Sequence, residues 1–153
     1  MAISTTFLID RRLPYADILQ ILESVASSHG VALSISDRGR PEMVLPSGVY
    51  GLHGPVDERT RQWHLADYGV DVGHWIGTKA DKFDLEAYEH VCLDIVGKII
   101  QQHPDCDLAL RGDGDAPRLL KLGRDLTIRG FRRSARERFL ENLPAELVVE
   151  LVS

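Results

Sequence analysis

Hydrophobic positions recur along this chain in two rhythms: alternation, the mark of a half-buried strand, and a three-and-four spacing, the mark of a helix. Thr5 to Asp10 alternates, with Phe7 and Ile9 on one side. Pro14 then suits the first turn of a helix, where its missing N–H costs nothing. Tyr15, Ile18, Leu22 and Val25 form the stripe of that helix, Leu19, Ile21 and Ala26 widen it, and Gly30 is placed to end it. Val31, Leu33 and Ile35 alternate with Ala32, Ser34 and Ser36, which predicts a half-buried strand. Turn residues from Asp37 to Pro41 lead to a short strand at Met43 to Leu45, resumed at Val49 to Leu52 after Pro46-Ser47-Gly48. Gly54 to Tyr68 reads as a loop with one helical turn around Asp57 to Trp63. A long irregular connection in a small domain is often functional. Val70, Val72, His74 and Ile76 alternate again, predicting a strand with Trp75 on its opposite face.

The strongest helical signal follows. Asp84 is expected as its N-cap, and Glu86 lies in the first turn, where the helix dipole favours an acid. Leu85, Tyr88, Val91, Cys92, Ile95, Val96 and Ile99 make the apolar stripe, with Glu86, Glu89, His90, Lys98 and Gln101 on the other side, and Pro104 stops the helix. Leu108 and Leu110 alternate with polar or small residues. The turn Gly112 to Asp115 then sends Leu119 to Leu122 back as a hairpin partner, and Leu126 to Ile128 follows after Gly123-Arg124-Asp125. Ser134-Ala135-Arg136-Glu137 has the form of a capping box, predicting a short helix over Ala135 to Glu141 before a final apolar segment, Leu147 to Val152. The order β-α-β-β-β-α-β-β-β predicts an α+β fold. Its sheet is antiparallel, with room for mixed connectivity, and two main helices pack on one face beside a short C-terminal helix.

Composition narrows the class. The 153 residues fit one domain, 1–153. A chain of about 150 residues buries roughly 70% of its unfolded surface, so it needs neither disulfide nor metal to hold together. Cys92 and Cys106 read as buried small hydrophobes. The N-terminus shows no basic region followed by an apolar run, and no segment approaches the roughly 18 apolar residues of a membrane span, so a cytoplasmic protein is expected. Net charge is −5 but unevenly placed. Asp57 to Asp94 holds nine acids against four bases, and Arg111 to Arg138 holds nine bases against four acids. Such asymmetry can steer a partner.

No pattern of catalytic residues emerges. The acids Asp105, Asp107, Asp113 and Asp115 do not make a calcium loop, because the twelfth position from Asp105 is Ala116 and no Glu is present. His53, His64 and His74 match no zinc spacing. There is no nucleophile elbow or phosphate loop, and neither cysteine has a cationic setting that would activate it. No enzyme activity, metal or cofactor is therefore expected. Arg129, Arg132, Arg133, Arg136 and Arg138, with Phe131 and Phe139 among them, define an alternative: a nucleic-acid-associated module. The pI of about 5.6 argues against it.

From Asp81 onward the chain resembles the Sit-type immunity proteins of bacterial polymorphic, contact-delivered toxin systems. The features that carry the resemblance are Asp81-Lys82-Phe83, the amphipathic helix ending near Gln102, the Asp107 strand with its Gly-rich turn, the Leu119-Leu120 return strand and Leu143-Pro144-Ala145-Glu146. The resemblance implies a cytoplasmic protein that neutralises a cognate toxin protein by direct binding. Toxin domains of this kind are often nucleases with basic sites, which an acidic surface would meet with a faster on-rate. On that reading Asp57, Glu58, Trp63, Asp67, Tyr68 and Asp71 form the contact, with exposed aromatics as its anchors. Trp75, in a strand, reads first as a core residue. A third reading, a small-molecule-binding domain, requires a pocket that gathers His53, His64 or His74.

Overall fold

The computed structural model describes residues 4–114 and 116–152, so Asp115 of the expected turn lies outside the described residues. In chain order the elements are β1 (Thr6–Asp10), α1 (Tyr15–Ser28), β2 (Ser34–Ile35), β3 (Pro41–Leu45), β4 (Gly48–His53), α2 (Glu58–Tyr68) and β5 (Val72–Ala80). They continue with α3 (Leu85–Gln102), β6 (Leu108–Arg111), β7 (Leu119–Leu122), β8 (Asp125–Arg129), α4 (Arg133–Glu141) and β9 (Val148–Val152). The strands form one sheet in the order β2-β3-β4-β5-β1-β6-β7-β8-β9. Every neighbouring pair is antiparallel except β8 and β9, which α4 links as a parallel crossover. The fold is α+β, as the order of apolar segments predicts.

One face of the sheet carries the main core. Phe7, Ile9, Tyr50, Ile76, Leu108 and Leu119 point from the strands into a single cluster with Ile18 and Leu22 of α1, Ile95 and Ile99 of α3 and Phe139 of α4. Both long helices follow the stripes read from the sequence. Cys92 and Cys106 are buried, and burial pushes their thiols up to about 12 and about 11.

Two buried charges brace this layer. Glu89, expected on the solvent side of α3, is only 6% exposed. Its carboxylate accepts from Arg118 at 2.9 Å and from the Arg132 backbone N–H at 2.8 Å, and the Arg132 guanidinium lies 3.2 Å away. Both arginines arrive from segments remote in sequence, so helical spacing alone could not show the acid as buried. Lys121 of β7 is 0% exposed, and its ammonium donates to the carbonyls of Pro104, Cys106 and Gly123, each at 2.6 Å.

Several local expectations need correction. The strand at 31–36 shrinks to Ser34–Ile35. Val31 and Leu33 still touch the core, but Ile35 is 68% exposed at the sheet edge, where no helix covers it. Asp84 occupies the N-cap position of α3, as expected, but its side chain makes no capping bond; just before it, the Asp81 side chain accepts from the Phe83 N–H. The capping box does not form, because α4 starts two residues earlier, at Arg133 with Arg132 in the N-cap position. The Ser134 hydroxyl donates to Glu86, and Glu137 pairs with Arg133. In β5 a bulge intervenes: Ile9 faces His74, but Asp10 faces Val72. Val72 therefore points to the second face with Trp75, while His74 and Ile76 point to the main core.

Candidate functional site: the face under helix α2

The second face of the sheet is thinly covered, and α2 supplies the cover. The expected single turn is an eleven-residue helix. It lacks an apolar stripe, so periodicity could not reveal it, but both ends carry signals. The Asp57 side chain accepts from the Thr60 N–H at 2.7 Å, an N-cap that also holds its carboxyl below the ordinary value. Gly69 closes the helix with φ of 75°, donating to the Leu65 carbonyl at 3.0 Å. Beneath and beside the helix, Leu8, Val70, Val72 and Ala109 make a small second core, with Val56, Tyr68, Trp75 and Leu120 at its margin.

Arg61 ties α2 to the strand that follows. Its guanidinium grips Asp71 through Nε at 2.5 Å and Nη2 at 3.1 Å, and reaches Glu58 at 3.1 Å. That grip holds the Asp71 carboxyl below its ordinary range. Asp57, Glu58, Trp63, Asp67, Tyr68 and Asp71 are thus brought together on one helix and its flank. Their charge is largely answered locally: Asp57 caps, and Glu58 and Asp71 share Arg61. The acids further along belong elsewhere, since Glu86, Glu89 and Asp94 lie on α3, across the sheet. The acidic stretch read from the sequence is therefore split between two faces.

The aromatics are the stronger feature. Trp63 is 58% exposed, and Tyr68 is half-buried. Trp75 does not enter the main core. It lies flat on the second face, stacked on His53 with ring centroids 3.9 Å apart and planes 8° from parallel. Gly77 makes room for this pair, because a Cβ there would meet the Trp75 ring at 2.8 Å and His53 at 3.3 Å. Between α2 and the sheet runs a groove of about 390 Å³, walled by Trp63 and Trp75, floored by Leu8, and edged by His64, Thr6 and Arg111. His64 is 6% exposed, and its Nδ1 is buried without a hydrogen-bond partner. Burial first, and the nearby Arg111 charge second, hold this imidazole neutral to lower pH than usual. The three histidines do not converge: His53 lies behind Trp75, and His74 packs on Tyr15 of α1 on the opposite face.

Three of the five arginines of the cluster pair with acids: Arg132 meets Glu89, Arg133 meets Glu137 and Arg138 meets Asp94, while Arg129 and Arg136 form no ion pair among the described residues. Phe131 and Phe139 are 5% and 4% exposed, so neither offers a stacking surface. Among the described residues, no helix is long and apolar enough to cross a membrane. No family model, curated protein or solved structure matches the chain.

Proposed function

We propose that this chain is an immunity-type protein that neutralises a cognate toxin by direct binding through the outer side of α2. The observation that carries the reading is Trp63: a large aromatic left 58% exposed on a helix fixed at both ends. Asp67, one turn further on, shares its side of the helix and forms no ion pair among the described residues. A rigid exposed Trp is the kind of residue that anchors a protein interface, because it brings a large apolar area at little cost in conformational entropy. Two of the neighbouring acids are bound to Arg61, so the contact rests on this anchor more than on charge steering. The family resemblance supplies the class of partner.

The test is co-expression of the tagged protein with each polypeptide encoded beside its gene. A neighbour that is lethal alone and is captured stoichiometrically supports the reading. Changing Trp63 to Ala weakens that capture by at least about 30-fold, the effect of losing an interface anchor. Undiminished capture by the variant contradicts the proposed surface, and the lack of any toxic, captured neighbour contradicts the function.

A further inference from the structure

The groove beside α2 has a chemistry of its own. Its walls are the two tryptophans, and its rim holds one cation, Arg111, which forms no ion pair among the described residues. The one carboxylate in its lining, Asp57, is already engaged by the Thr60 N–H. His64 adds a second donor. Its sealed Nδ1 has no partner, and an empty buried acceptor is less costly than an empty buried N–H, so the proton belongs on Nε2. Arg111 and His64 both line this space, and a carboxylate would satisfy their N–H groups where an amine would not. Flat indoles beside it favour a planar ring.

We propose that this groove binds a small planar monocarboxylate, with its ring against Trp75 and Trp63 and its carboxylate on Arg111 and His64. The site does not depend on the toxin reading and needs no partner protein.

The experiment uses the full chain and naphthalene-2-carboxylate as the probe, followed by 1H–15N NMR. The chain has two tryptophans, so its two indole N–H signals report on the groove directly. The carboxylate is expected to shift both signals in a saturable manner, with Kd on the order of 1 mM or tighter. The neutral naphthalene-2-carboxamide binds at least about tenfold more weakly, as loss of a charge-assisted pair requires. Arg111→Gln reproduces that loss while the backbone spectrum stays dispersed. Absence of shifts at the indoles, or equal binding of carboxylate and carboxamide to the unaltered protein, overturns the proposal. The carboxamide comparison needs no variant, so a misfolded Arg111→Gln protein leaves the test intact.

Discussion

Lys121 shows how a single residue can be unreadable in sequence and decisive in structure. It sits in the alternating run Leu119-Leu120-Lys121-Leu122, where its inward parity is plain but its partners are not. The carbonyls that receive its ammonium come from Pro104 and Cys106, in the turn before another strand, and from Gly123. Replacing Lys121 with Met keeps the length but leaves three carbonyls unmet, that of Cys106 buried and those of Pro104 and Gly123 partly so. The expected loss is about 2–3 kcal/mol, read as a fall in Tm of roughly 5–10 °C by calorimetry. The histidines give a second prediction at this scale. His53, His64 and His74 are all held below their ordinary value of 6.5, chiefly by burial. The unfolded chain therefore binds more protons than the folded one as pH falls below 6.5, and stability drops with pH until the folded histidines also titrate. The depressed carboxyls of Asp57 and Asp71 act in the same direction only near and below their ordinary value of 3.8. Thermal unfolding should thus show Tm falling from pH 7 toward pH 5, and His64→Phe should flatten that slope.

At the scale of elements, legibility follows from what each element buries. The helices α1 and α3 bury wide apolar stripes in one core, so their spacing shows in the sequence. Helix α2 buries only His64, and only its caps mark it. The strand β5 reads with the wrong parity before its bulge, since alternation assumes an unbroken ladder. Glu89 links α3 to the residue just before β7 and to the start of α4 through two arginines that lie on no shared local pattern. Its removal as Glu89→Gln is expected to lower stability by about 2 kcal/mol, less than for a fully buried pair because Arg132 remains partly solvated. Denaturant unfolding measures this. Gly77→Ala acts differently. The added methyl collides with the edge of the stacked Trp75 ring and crowds His53, so the Trp75 indole signal should move while stability falls by about 1 kcal/mol.

Across the whole molecule, the nine-stranded sheet separates a face that carries the main core from a thinly covered one. Three helices and the main core occupy the first. The second carries one helix, a small apolar cluster, the flat His53–Trp75 pair and the exposed Trp63. The candidate residues Asp57 to Asp71 were legible as a group because they are near in sequence and α2 keeps them together. His64 and Trp75 are named from the sequence, but their grouping with Arg111 is not, because the three come from different elements and only the sheet order brings them to one groove. The sequence's apparent acidic block dissolves for the same reason: a helix on each side of the sheet divides it.

On the proposed function, Trp63 anchors a protein that would otherwise poison the cell. The most direct measurement is growth rescue. Each polypeptide encoded beside this gene that proves lethal on its own is induced together with either the unaltered protein or Trp63→Ala, both at equal abundance. The account predicts full growth with the first and death with the second. Equal rescue by both would contradict it.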